Sequence, residues 1–189
     1  MGDLNACLLN HACLDENLVP SELRWFFSKV PEKERKLPDA FKGHFASIIV
    51  SEPFRDIIAE HEIGRTQIIE LPLYELREMT KMGQTTADYD KKDPGRWFLL
   101  NVVEFKNALK PDECGNLVEP ISHRPGYYSF DPSNAPLIAL DADVAAAGVP
   151  VWREKHLRDG VFFSDDIKRA VKAAKLKTPA FSFKPCVLF

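Results

Sequence analysis

Glycine is scarce in this chain, nine residues among 189, and that leaves little material for phosphate cradles or nucleophile elbows. No G-x-G-x-x-G, P-loop or G-x-S-x-G pattern occurs. The four cysteines, Cys7, Cys13, Cys114 and Cys186, are too few and too scattered for a disulfide framework, and free thiols are expected. None of the five histidines stands at helical i, i+4 spacing from another, the arrangement that a zinc helix uses. Cys7, His11 and Cys13 come nearest to a ligand cluster, but no second CxxC or paired histidine completes it. No metal or cofactor is therefore expected. Uncharged apolar runs fall short of the roughly eighteen residues that span a bilayer. The opening Met1-Gly2-Asp3-Leu4-Asn5 also lacks the basic flank of a secretory signal. The expected compartment is the cytoplasm, with no membrane partner.

What is present is enough apolar material, 45% of the residues, to bury a real core. The net charge of -3 conceals an asymmetry: residues 1–150 carry 16 basic and 24 acidic side chains, residues 151–189 nine and four. An acidic body argues against direct nucleic-acid binding and suits a basic partner steered by complementary charge. Ordinary solvated surface charge is the plain alternative.

Two segments resemble each other at a fixed offset of 113 residues, a pattern that changes how a fold is read. The first runs Ile48-Ile49-Val50, then Ser51-Glu52-Pro53, an apolar ladder at Phe54, Ile57 and Ile58, and the exit Ile68 to Pro72. The second runs Val161-Phe162-Phe163, then Ser164-Asp165-Asp166, a ladder at Ile167, Ala170, Val171 and Ala174, and the exit Phe181 to Pro185. Each predicts strand, helix, strand. Ser51 and Ser164 are suited to cap free amides of a first turn, and the acidic residues after them favour the positive end of the helix dipole. Pro53 is tolerated in a first turn, where its missing N–H has no intrahelical partner. Gly64 in one copy and Lys175 to Pro179 in the other mark the helix ends. Two similar units reflect either duplication or the general frequency of such units.

Elsewhere, helices are expected at Leu4 to Leu14 and around Ser21 to Phe27, followed by the charged connector Pro31 to Pro38. Residues 1–36 thus read as a helical extension and 37–189 as a single domain. Arg96 to Phe105, rich in aromatic and β-branched residues and entered through Asp93-Pro94-Gly95, predicts a central strand. Proline and small polar residues from Pro111 to Pro136 predict loops around a short strand at Tyr127 to Phe130. Leu137 to Leu140 predicts another strand, Asp141 to Ala147 a short helix, and Val149 to Arg153 the lead into the second copy. The fold class is α+β, a mixed sheet covered by helices.

A hydrolase could be assembled from His156, Asp159, Ser164 and Asp165 as base, orienter and nucleophile, but Ser164 and Asp165 already have a structural role at a helix start. Trp97 and Trp152, flanked by strand-like residues, fit core packing. Tyr127 and Tyr128, in the proline-rich middle, are the expected exposed aromatic pair.

The chain resembles the eleventh numbered family of bacterial immunity proteins in polymorphic-toxin systems. The likeness rests on V-S-E-x-F-R-D-[IL]-[IL] at Val50 to Ile58, an aromatic-Leu-Leu-Asn-Val-Val strand at Phe98 to Val103, and [IV]-[WF]-R at Val151 to Arg153. It closes on Phe-Ser-Asp-[DE]-[IL]-K-x-A at Phe163 to Ala170. These landmarks lie between Leu37 and Pro185. The resemblance implies a non-enzymatic protein that binds and neutralises a cognate toxin of contact-dependent, type VI or Rhs-like systems. Asp88, Asp90, Asp93, Asp112, Glu113, Asp141 and Asp143, with Tyr127 and Tyr128, are the candidate partner-binding residues. A generic adaptor subunit is the remaining alternative.

Overall fold

The computed structural model describes residues 23–26, 37–42, 48–76, 95–118, 126–130, 137–157, 160–178, 183 and 185–189. It is a mixed α+β structure in which the chain divides into two compact units. The first comprises Met1–Asp56, Gln67–Asn101 and Lys175–Phe181, the second Ile57–Thr66, Val102–Ala174 and Ser182–Phe189.

The first unit is built on a four-stranded antiparallel sheet. Its strands are β2 (Ala40–Lys42), β3 (Ile48–Ser51), β4 (Gln67–Leu71) and β6 (Trp97–Asn101), in the order β2-β3-β6-β4. β3 and β6 are buried at every residue, so both faces of the sheet are covered and the two strands read as continuous apolar runs rather than alternating ones. Register places Phe41, Ile49, Leu99 and Ile69 in one row, and these join Leu71, Leu73 and Trp97 in one core cluster.

On the opposite face the row Ala40, Val50, Phe98, Glu70 lies beside helix α1 (Glu52–Ala59). Arg55 sits 4.6 Å and Arg96 5.4 Å from the Phe98 ring centre. Arg96 grips Glu70 through Nε at 2.9 Å and a second nitrogen at 2.5 Å, and reaches Glu52 at 2.7 Å. The Arg96 hydrogen bonds hold the Glu70 carboxyl below its usual range. Two cations thus cap an aromatic ring while two carboxylates neutralise them, which closes the sheet face without exposing Phe98.

Asp39 braces the end of β3. Its carboxylate accepts from the Ser51 hydroxyl at 2.9 Å and from the Lys177 amide at 2.7 Å, and its own backbone bonds Ser51 and Lys177. The Ser51 hydroxyl, expected to serve the helix start, donates to this carboxylate. A long-range acceptor engages a group that the local pattern assigned to capping.

Leu23–Phe26 is strand β1, parallel to β5 (Leu73–Leu76), where the sequence suggested a helix. Aromatic residues favour strands where a ladder is available, and β5 supplies one. This part of the expected extension is therefore a strand paired with residues 73–76; the proposed helix at Leu4 to Leu14 and the Pro31 to Lys36 stretch lie outside the described residues.

The second unit holds β7 (Phe105–Lys106), β11 (Val151–Glu154) and β12 (Val161–Phe163) in the order β12-β11-β7. Two pairs complete it: β8 (Leu117–Val118) with β9 (Ser129–Phe130), antiparallel, and β10 (Ile138–Leu140) with β13 (Cys186–Leu188), parallel. Trp152 and Phe162, opposite each other in the ladder, stack at 4.4 Å, within a core of Ala108, Ile138, Leu140 and Leu157. Lys106 lays its ammonium 4.9 Å from the Trp152 ring and donates to the Ala145 carbonyl at 2.8 Å; burial lowers its pKa.

Both strand-to-helix junctions of the repeat form. Helix α1 starts at Glu52 and α3 (Asp165–Ala173) at Asp165, 113 residues apart in the numbering. Ser164 caps α3, its hydroxyl accepting from Ile167 N at 3.4 Å, and Ile167 and Val171 form the buried face. The first exit strand is β4; most of the second exit, Phe181 to Lys184, lies outside the described residues. After α3 the backbone turns through Lys175 at φ 55°, a left-handed conformation that costs a side-chain-bearing residue about 1 kcal/mol. Lys175→Gly is expected to raise stability by up to that amount, read as a higher thermal midpoint; an unchanged or lower midpoint would refute the strain.

Candidate binding surface

β10 organises the face on which most of the described candidate residues lie. Along one of its edges runs the segment from Ala108 to Gly115: Lys110 N donates to Ala139 O at 3.0 Å, Asp141 N to Ala108 O at 2.7 Å and Gly115 N to Leu137 O at 3.1 Å. Between these bonds the sulfur of Cys114 replaces a carbonyl, accepting the Ala139 amide at 3.2 Å. A 3-10 turn, Pro111–Glu113, interrupts this segment. Proline at its start sets φ for the turn, and Asp112 and Glu113 are carried outward into solvent.

Where β10 ends, Asp141 caps the short helix α2 (Ala142–Ala146), its side chain accepting from Val144 N at 3.1 Å. Lys110 approaches the same carboxylate at 3.7 Å. The Val144 amide first, and Lys110 in addition, hold the Asp141 carboxyl below its ordinary value of 3.8. A carboxyl depressed in the folded state stabilises the fold while ionised and loses that contribution as pH falls through its folded value. The thermal midpoint is therefore expected to fall less for Asp141→Asn, which still caps, than for the native chain between about pH 6 and about pH 3. Parallel curves would show that Asp141 contributes nothing.

The structure puts Asp112 and Glu113 in the turn of the segment that runs along β10 and Asp141 and Asp143 at the start of α2 where β10 ends, with Lys110 3.7 Å from Asp141. Asp88, Asp90 and Asp93 lie outside the described residues. Tyr127 and Tyr128 are half-buried rather than an exposed pair. The Tyr128 amide donates to His156 O at 2.7 Å, and its ring packs against the Trp152 cluster, a long-range neighbour that a proline-rich loop does not advertise.

The described members of the hydrolase set, His156, Ser164 and Asp165, do not converge. Ser164 N bonds Pro150 O at one end of the β11–β12 pair, whereas His156 follows β11 at the other, roughly 15–20 Å away at about 3.3 Å per residue. Ser164 is committed to its cap, and Asp165 lies 3.4 Å from Lys168. His156 sits 3.8 Å from the buried Glu154, and Asp159 is outside the described residues. Among the described residues no group of three or more His, Cys, Asp or Glu side chains is placed to hold a metal; Cys7, His11 and Cys13 are not among them. Burial pushes the Cys186 thiol up to about 11, which suppresses the thiolate that alkylation and metal binding require.

The exposed apolar side chains of this face were not among the expected features. Leu137, Val144, Val187, Leu188 and Phe189 are large apolar side chains left exposed. Its trace in the sequence is an uncharged Val-Leu-Phe run with no alternation. No helix among the described residues is long and apolar enough to cross a membrane. No protein-family model and no curated protein matches the chain.

Proposed function

We propose that this chain is an immunity protein, a non-catalytic binding module that neutralises a cognate bacterial toxin by a protein–protein interface. The observation that supports this reading best is the β10–β13 face: exposed apolar side chains beside solvent-facing carboxylates, in one unit, on an ordered ladder. An apolar centre with a charged rim is the anatomy of a specific interface. The acidic groups suit a basic toxin of a polymorphic, type VI or Rhs-like system, met in the cytoplasm of the producing cell. The two strand–helix units fit duplication of one building block. Ser51 N bonds Asp39 O as Ser164 N bonds Pro150 O, and Glu52 pairs with Arg55 as Asp165 pairs with Lys168.

The test is co-expression with the toxin encoded beside it. Cells carrying both are expected to survive, with direct binding of the purified proteins. Equal killing with and without this chain would end the proposal.

A further inference from the structure

The exposed apolar side chains of this face are concentrated on one strand. Val187 is 40% and Leu188 57% exposed on β13, which contains neither charge nor proline, and Phe189, directly after it, is 52% exposed. Edge strands are normally blunted by such residues, because an open ladder invites another strand. The direction of the backbone groups follows from two bonds: Phe189 N donates to Leu140 O at 3.0 Å, and Phe189 O accepts from Ala142 N at 2.9 Å. Adjacent residues of a strand aim their N–H and C=O to opposite sides, so those of Leu188 face away from β10. Among the described residues no strand pairs with that edge.

The charges nearby select what can lie there. Asp141 and Asp143 flank the end where Ala142 takes the Phe189 carbonyl, and among the described residues Asp141 is paired with Lys110 whereas no basic side chain pairs with Asp143. The Asp165–Lys168 pair, whose field reaches Cys186, sums to no charge. Val144, on the helix that starts at Ala142, is a further exposed apolar side chain.

Resting on the reading above, we infer that the toxin docks by adding a strand to the free edge of β13, through an extended apolar segment that ends in lysine or arginine opposite Asp143. Main-chain bonds to Leu188 supply the ladder, Val187, Leu188 and Phe189 cover the apolar side chains of the added strand, and Asp143 sets its direction.

The test uses the full chain and a synthetic peptide of alternating valine and threonine with two lysines at one end, titrated by fluorescence anisotropy. Leu188→Pro removes the outward N–H while leaving the inward bond of Phe189, and Leu188→Lys keeps the backbone and blunts the edge. Each is expected to weaken binding tenfold or more. A peptide with glutamates in place of the lysines is expected to bind at least fivefold more weakly, and Asp143→Lys to reverse that preference, a swap that mere loss of folding cannot produce. Equal binding by the native chain and Leu188→Lys would overturn the inference. So would a native dimer that becomes monomeric in Leu188→Lys, since a second copy would then own the edge. Co-expression separates the two levels: toxin killing despite the native chain ends the immunity reading, whereas rescue by native, Leu188→Pro and Leu188→Lys alike ends only the docking mode.

Discussion

Glu154→Ala is expected to cost about 3 kcal/mol or more of unfolding free energy. Glu154 lies at the end of β11 and is 2% exposed. One carboxylate oxygen accepts from Ala108 N at 2.8 Å and Leu109 N at 3.1 Å, and the other from His156 N at 3.2 Å. Three backbone donors from two stretches of chain therefore depend on one side chain. The Ala108–Leu109 segment is the one that goes on to pair with β10. Truncation strands the buried Ala108 amide and deprives the part-buried Leu109 and His156 amides of their acceptor, and an unmade buried hydrogen bond costs more than a made one contributes. Glu154→Gln keeps the volume but offers one oxygen and turns an NH2 toward donors, so it is expected to lose about half as much. Urea unfolding measures both. A loss below about 1 kcal/mol for Glu154→Ala would mean that the three amides find other acceptors.

Trp152→Ala is expected to cost about 3–5 kcal/mol, the range for removing a large aromatic from a packed interior. The indole is 4% exposed, stacks on Phe162 and lies beneath the Lys106 ammonium. Its loss removes the stacked pair, the cation's ring and the centre of the cluster formed by Ala108, Ile138, Leu140 and Leu157. Trp152→Phe retains a ring at that position, and its expected loss is about 1–2 kcal/mol. Since domains of ordinary size are stable by about 5–15 kcal/mol, either truncation removes a large share of the total. Urea midpoints with unchanged slopes are the check, and a near-neutral Trp152→Ala would show that this cluster is not a core.

Much of the local structure was legible. Ile48 to Val50 and Val161 to Phe163 are β-branched and aromatic runs, Ser164 precedes two acidic residues and an i, i+3, i+4 ladder, and Asp141 stands before a short helix-prone stretch. In each case the cause lies within a few residues, in side-chain shape, capping oxygen and apolar period, and the elements formed where expected. The central strand proved shorter than the apolar run, with β6 ending at Asn101. Arg96 to Phe105 is apolar past that point because Val102 and Val103 are buried in turn, and burial outside a strand leaves the same trace in sequence as burial within one.

The candidate surface was legible in part. Asp112, Glu113, Asp141 and Asp143 are where loop chemistry suggested, at a turn and a helix start. The two tyrosines were not, because Tyr128 is fixed by His156 and the Trp152 cluster, residues far along the chain. Leu188 and Phe189 were not singled out in the sequence, where an apolar run carries no sign of exposure; the pairing of β13 with β10 leaves them at the surface.

The α+β character, the two strand-to-helix junctions and the composition of the cores are written in the order of residues, because they follow from interactions among neighbours in the chain and from how much apolar area must leave water. That Leu23–Phe26 is a strand, that Ser51 serves Asp39, that Glu154 holds the Ala108–Leu109 amides and that β13 has, among the described residues, one unpaired edge were settled only when the chain folded. Each of those depends on which distant segment lies alongside, and a hydrogen-bonding group or an apolar side chain carries no mark of its partner until the ladders are in register.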